Sequence, residues 1–197
     1  MHHFFVDPNQ IDEEYVTITG NDVNHIKNVL RMKVNEELLI SNGVDKDYYC
    51  VIEEMSEVGI KAKILNVDYE GSELDTEFYL FQCLPKNDKM ELIIQKAVEL
   101  GVKEIIPVAS KRAVVKLDEK KEASKIKRWN AISESAAKQS RRVIIPKVTK
   151  VHSFKQAVEY AKTLDFNMIP YENYKDMTQT RQAVDKIKSG MKVGIFI

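Results

Sequence analysis

From residue 77 to the last residue of the chain, short apolar runs of strand character alternate with amphipathic helical stretches, and no other feature of the sequence narrows the possible folds as much. A strand-like run at 77–84 leads into a helix over 88–100. Met90, Ile93, Ile94, Ala97 and Leu100 lie on the apolar side of that helix, and Gly101 lies at its end. A strand at 104–109 precedes a long charged helix over 119–140. A strand at 143–145, a helix capped by Ser153, a strand at 166–170, a helix over 180–188 and a last apolar strand at 192–197 complete the pattern. Strands joined through helices pair in parallel, since the crossover needs that length, and a parallel sheet is covered on both faces. An α/β domain is expected, with its ligand edge at the carboxyl ends of the strands.

Residues 1–72 follow a different rhythm. Strand-like runs at 3–6, 15–19, 37–41, 48–55 and 60–67 are divided by Gly59 and by Asn42-Gly43, a strong hairpin signal. One helix, at about 21–31, carries Val23, Ile26, Val29 and Leu30 on a single face, with Asn21 or Asp22 as its cap. Many short strands with one helix indicate a small β-barrel. The turn-like Tyr69-Glu70-Gly71-Ser72 places the boundary between residues 70 and 76, giving domains 1–72 and 73–197.

The formal net charge is zero, but its distribution is not even. Residues 1–83 carry 6 Lys and Arg against 17 Asp and Glu, whereas residues 84–152 carry 17 against 8. A basic middle segment is either the electrostatic footprint of a nucleic-acid partner or a solvated helix face. No apolar run approaches the ~20 residues of a membrane helix, and Met1-His2-His3-Phe4-Phe5 does not resemble a secretion signal. Cys50 and Cys83 have no partner at metal-ligand spacing and are expected as reduced, buried thiols. The four histidines do not cluster, and the usual hydrolase, NTPase and dinucleotide motifs are absent, so no metal is expected.

Three stretches have the residue types for chemistry. In Pro85-Lys86-Asn87-Asp88-Lys89-Met90, two lysines stand beside the free amides of a helix start, an arrangement that attracts anions unless they are merely loop lysines in solvent. Gln95, Lys96 and Glu99 occupy the polar side of the same helix. The stretch from Ser135 to Arg142 closes the long helix with small residues and a basic end, so Gln139 and Arg142 either contact phosphate or complement the helix dipole.

Read in order, these stretches and others resemble one family. Phe4-Phe5-Val6, His25-x-x-x-Val29-Leu30-Arg31-Met32, Ser41-Asn42-Gly43, Lys86-x-x-Lys89-Met90, Gln95-Lys96-Ala97-x-Glu99-Leu100-Gly101-Val102, Ala113-Val114-Val115-Lys116, Lys127-Arg128-Trp129 and Ala136-Ala137-x-Gln139-Ser140-x-Arg142 together are similar to the RsmE family of ribosomal RNA methyltransferases. The resemblance implies a PUA-like, RNA-binding β-barrel over 1–72 and a SPOUT-type parallel-sheet α/β domain over 73–197. It implies a cytoplasmic homodimer that uses S-adenosylmethionine to methylate N3 of a uridine in 16S rRNA of the small ribosomal subunit. By the same resemblance, Arg31, Lys86, Lys89, Gln139 and Arg142 are RNA-binding candidates, Tyr171 and Glu172 are cofactor-pocket candidates, and Gln95 and Glu99 are weaker ones. No residue is assigned as catalytic.

The chain departs from the family at Arg141, where glycine is common, and at His3, which replaces a basic residue common near the N-terminus. The family also continues past a strand like Val193-Gly194-Ile195-Phe196-Ile197 with glycine-rich and Leu-Arg-x-Glu-Thr-Ala segments that form the trefoil knot. This chain is therefore expected to be incomplete, with neither tight cofactor binding nor activity of its own. Two other readings remain. A non-catalytic rRNA-binding module fits the same residues, while a small-molecule α/β enzyme needs a cofactor loop that the sequence does not contain.

Overall fold

The computed structural model describes residues 1–68, 73–86, 89–110, 119–171 and 178–197. The Ala113 to Lys116 motif and Glu172 lie outside the described residues. The chain divides into two compact units, Met1–Glu73 with Arg141–Ile145, and Leu74–Ser140 with Pro146–Ile197.

In the first unit, β1 (His2–Phe5), β2 (Tyr15–Thr19), β3 (Glu37–Ser41), β4 (Asp47–Met55) and β5 (Gly59–Asp68) form one curled sheet in the order β1-β3-β4-β5-β2. Only β1 and β3 pair in parallel. Alternation along each strand turns Val16, Ile18, Leu38, Ile40, Cys50, Ile52, Ile60 and Ala62 into one buried cluster. Register shifts at Tyr49/Cys50 and Ile52/Glu54 bend the long β4–β5 pair, as bulges do. Burial also pushes the Cys50 thiol up to about 12, so it is inert at neutral pH. Cys83, expected to be buried as well, is half-buried.

The helix expected at 21–31 differs in two ways. Its N-cap residue is Gly20, at a φ of 74°, and not Asn21 or Asp22, which are the first two residues of the helix. After α1 (Asn21–Asn24) the chain widens into a π-helical turn over His25–Val29, closed by the Leu30 amide donating to the His25 carbonyl at 2.9 Å. One extra residue in a turn rotates every later side chain, and the 3.6-residue spacing of the apolar face breaks there. Val23 and Ile26 are accordingly buried, while Val29 is 61% exposed.

In the second unit, β6 (Glu77–Cys83), α2 (Lys89–Glu99), β7 (Val102–Ala109), α3 (Glu119–Ser140), β8 (Lys147–Val148), β9 (His152–Ser153), α4 (Phe154–Ala161), β10 (Phe166–Met168), α5 (Thr178–Val184) and β11 (Lys192–Phe196) follow in chain order. Every strand pair is parallel, in the order β10-β11-β6-β7-β8, with β9 also on β7. One face carries Tyr79, Phe81, Ile106, Val108 and Phe196 against Ala157 and Ala161 of α4. α2 also contacts β7, through residues outside that cluster. The Ser153 cap is present as a capping box with Gln156.

α3 is pinned to the short edge strand by side chains standing in for a neighbouring strand. The Asn130 amide donates to the Val148 carbonyl at 2.9 Å and accepts from the Val148 amide at 3.0 Å, and the Ser133 hydroxyl donates to the Pro146 carbonyl at 2.5 Å. Residues 143–145 form no strand, contrary to the apolar pattern. Their amides turn instead to a carboxylate of the first unit, with Val143 donating to Glu73 Oε1 at 3.0 Å and Ile144 at 3.4 Å.

Gly194 of β11 lets β10, β6 and the turn after α4 approach closely. A methyl group there would stand 2.1 Å from Asn167 Oδ1, 3.0 Å from Leu164 and 3.1 Å from Phe81. Asn167 cannot swing away freely, because its amide donates to the Ala161 carbonyl at 2.7 Å. Gly194→Ala is therefore expected to cost about 1–3 kcal/mol by overpacking, measured by urea denaturation.

Candidate active site

The order of strands about β6 defines where a ligand can enter. β7 and β8 lie on one side of β6 and β11 and β10 on the other, so chain direction across the sheet reverses at the β6–β11 pair. At its carboxyl end that pair is extended by two further hydrogen bonds, Cys83 amide to Ile197 carbonyl at 2.6 Å and Ile197 amide to Phe81 carbonyl at 3.0 Å. Gln82 is buried there, its amide donating to the carbonyls of Cys83 at 2.9 Å and Ile197 at 3.4 Å. The sequence reading passed over Gln82. Its one signal was a polar residue inside the run Phe78-Tyr79-Leu80-Phe81-Gln82-Cys83.

Two of the expected site residues follow directly. Lys86 and Lys89 are both exposed, Lys86 shortly after the carboxyl end of β6 and Lys89 as the first residue of α2, the helix end that favours anions. Beyond β10, at the same end of the sheet, Ile169 and Tyr171 are 71% and 68% exposed. The switch point thus joins an anion-attracting corner to an apolar edge that can lie against an uncharged ring.

The ionisable groups deeper in this unit are committed to structure. The Tyr79 hydroxyl donates to Glu77 at 2.8 Å and that of Tyr160 to Glu104 at 2.7 Å. Burial first, and then these carboxylate partners, raise both phenols far above their ordinary range, so they serve as donors and not as bases. On α2, Glu99 accepts from Lys96 at 2.7 Å and Gln95 at 2.9 Å, which holds its carboxyl below the usual range, Lys96 contributing most. Gln95 and Glu99 therefore form a local helix-surface network. Arg128 of α3 pairs with Glu91 of α2 at 2.8 Å. Gln139 is exposed in the last turn of α3. Among the described residues no group of His, Cys, Asp and Glu is arranged to hold a metal ion, and no helix is long and apolar enough to cross a membrane.

Arg31 and Arg142 lie in the first unit and in opposite environments. Arg31 is exposed, on a left-handed backbone with a φ of 56°. Arg142 is 5% exposed, its Nε donating to Glu73 Oε1 at 3.2 Å and its terminal nitrogen to Glu73 Oε2. The arginine expected to meet phosphate or a helix dipole is therefore a two-pronged buried pair with a carboxylate. A second buried network links His3 to the Ser41 hydroxyl at 2.6 Å, and Ser41 in turn donates to Asp47. Burial raises the Asp47 carboxyl above its ordinary range while the Ser41 bond opposes that rise.

A curled sheet joined to a parallel α/β sheet, with lysines at the switch point, defines the class. Residues 72–197 match the family model of an RNA methyltransferase domain, and residues 18–65 match that of an RNA methyltransferase PUA domain. The chain is 36% identical over 175 residues to ribosomal RNA small subunit methyltransferase E of Bacillus subtilis, covering 87% of this chain and 68% of that protein. It is 34% identical to the enzyme of the same name from Mesomycoplasma hyopneumoniae, over 89% of this chain and 74% of the relative. The crystal structure of ribosomal RNA small subunit methyltransferase E from Neisseria gonorrhoeae, bound to S-adenosyl methionine, superposes with a TM-score of 0.82 at 27% identity, covering all of this chain and 78% of that one. The chain belongs to the ribosomal RNA small subunit methyltransferase E family.

Glu73 is the acceptor for one buried guanidinium and two backbone amides, so its removal leaves all three without that partner. Glu73→Ala is expected to destabilise the protein by about 3 kcal/mol, read from denaturant unfolding.

Proposed function

We propose that the protein to which this sequence belongs transfers the methyl group of S-adenosylmethionine to N3 of a uridine in 16S rRNA, acting on the small ribosomal subunit, in the cytoplasm and as a homodimer. The observation that carries the reading is membership of the methyltransferase E family, together with Lys86 and Lys89 at the switch point of the parallel sheet.

The residues at the sheet end fit the cofactor's chemistry. Ile169 and Tyr171 offer exposed apolar contact suited to an adenosine. When bound, the cofactor supplies an electrophilic methyl carbon on a sulfonium. The chain's own task is to present the uridine. N3 of uridine holds its proton at neutral pH, so the reaction needs the base aligned and the anion stabilised as the proton leaves. Lys86 and Lys89, with the α2 amides, attract RNA phosphate or the developing anion, and Gln139 orients the base through a hydrogen bond. Arg31 of the first unit adds a phosphate contact. Arg142 acts through Glu73 as a positioning residue for its own segment.

Loss of the gene encoding this chain is expected to remove one N3-methyluridine from 16S rRNA, read by mass spectrometry of nuclease digests, with restoration on complementation. Persistence of that nucleoside alongside intact rRNA binding would identify a non-catalytic RNA-binding module instead. The double variant Lys86→Ala/Lys89→Ala is expected to weaken binding to small subunits and to lower the slope of log affinity against log salt by about 1–2, as each lost phosphate contact releases fewer counterions.

A further inference from the structure

We propose that the exposed side of α3, from Lys120 to Ala131, is a docking ridge for the sugar-phosphate backbone of the RNA substrate, gripping it away from the reacting base; this rests on the reading of the protein as an rRNA methyltransferase. α3 carries six Lys and Arg against three Glu, and the two signs are not spread evenly around it. Its inner side is fixed by the burial of Trp129, Ser133, Ala136 and Ala137 and by the bonds of Asn130 and Ser133 to the Pro146–Val148 segment. The side turned to solvent is thereby decided as well. Its exposed cations are Lys120, Lys121, Lys127 and Arg128, whereas Glu122 and Glu134 are half-buried.

Both of those carboxylates are engaged within the protein. Glu122 accepts from the Val151 amide at 2.9 Å, and Glu134 pairs with Lys138 at 2.9 Å. A solvated helix face ordinarily mixes the two signs, but the exposed residues of α3 between Lys120 and Ala131 are cations and the small, uncharged Ala123, Ser124 and Ala131. Lys120 and Lys127 stand two turns apart, about 10 Å along the helix axis, and neither has an ion-pair partner among the described residues. The small residues between and beyond them let a polymer backbone approach closely, and the Ser124 hydroxyl can donate to a phosphate oxygen. None of the large apolar side chains described as exposed belongs to α3, so the face suits a polyanion and not the apolar core of a protein interface.

One ion pair sets where the ridge runs. Arg128 grips Glu91, in the first turn of α2, through Nε at 2.8 Å and a terminal nitrogen at 2.8 Å. Lys127 precedes that arginine, and Lys89 lies two residues before that glutamate. The ridge therefore passes the start of α2, where Lys86 and Lys89 stand, and the pair offsets the charge of Arg128 so that Lys120 and Lys127 carry the attraction. RNA whose target base lies at the switch point is held by its flanking phosphates along α3.

The test uses the full-length protein and small ribosomal subunits that lack the N3-methyluridine, with binding and methylation followed over a range of salt. Lys120→Gln/Lys127→Gln is expected to weaken binding roughly ten-fold, with KM rising to match, and to lower the slope of log affinity against log salt by about 1–2. Turnover at saturating subunits should stay unchanged, and Tm should move by less than about 2 °C, since both side chains are on the surface. Lys120→Arg/Lys127→Arg keeps the charge and should restore the slope, while Lys155→Gln/Lys192→Gln, two exposed lysines of the same unit away from α3, should leave it at the wild-type value. A photo-crosslinking residue at position 124 should join the protein to 16S rRNA. Unchanged affinity and slope in the α3 variant would make this a solvated helix face and overturn the proposal. So would an equal fall in the Lys155/Lys192 control, a slope that arginine fails to restore, a loss of turnover in place of affinity, or crosslinking to ribosomal protein alone. Wild-type protein that neither binds nor methylates the subunits would overturn the proposed function itself, a result distinct from the others.

Discussion

The carboxylate of Glu73 is the acceptor on which the conformation of residues 141–145 depends. It receives two nitrogens of the Arg142 guanidinium and the amides of Val143 and Ile144. A short stretch flanked by residues of the α/β unit is thereby folded as part of the β unit. Such a set is cooperative in the unfavourable direction, since an unpaired buried guanidinium costs far more than the pair contributes. The apolar triplet Val143-Ile144-Ile145 would otherwise be free to add to the edge of a sheet, and the hydrogen bonds to Glu73 replace that pairing.

This arrangement gives two adjacent arginines opposite environments. Arg142 is turned inward as an anchor, whereas Arg141 is exposed on a left-handed backbone. In the α/β unit the equivalent separation lies between sheet and edge. Tyr79 is paired with Glu77 and Tyr160 with Glu104, while Lys86, Lys89, Ile169 and Tyr171 are exposed at the reversal of strand order. Methyl transfer to a base nitrogen requires positioning more than a reactive side chain, and an edge of this kind provides anion attraction beside an apolar contact surface.

Much of the fold was legible because its signals are local. The spacing of apolar residues located β2, β3 and α3 with the observed bounds, and the alternation of strands and helices indicated the parallel sheet. What was not legible depended on partners distant in the chain or on backbone geometry. Val29 was misplaced because a π turn shifts the helical register without a residue that announces it. The strand expected at 143–145 failed because its pattern cannot reveal an acceptor 70 residues earlier. Arg142 was legible as important but not as buried, since a basic residue at a helix end reads as a solvent group until its partner is known. Gln82 lay hidden because one polar residue in an apolar run gives no hint of which carbonyls it faces. The family resemblance supplied the chemistry, which neither periodicity nor charge distribution contains.

The dependence of residues 141–145 on Glu73 can be measured by native-state hydrogen exchange, resolved residue by residue with NMR across sub-denaturing urea. If the segment folds with the first unit, the Val143 amide should exchange with the same free energy and the same urea dependence as the amides of Ile18 and Ile40 in that unit's core, and should lose its protection selectively in Glu73→Gln. Exchange of Val143 at the rate of an open loop, or protection that Glu73→Gln leaves intact, would contradict it.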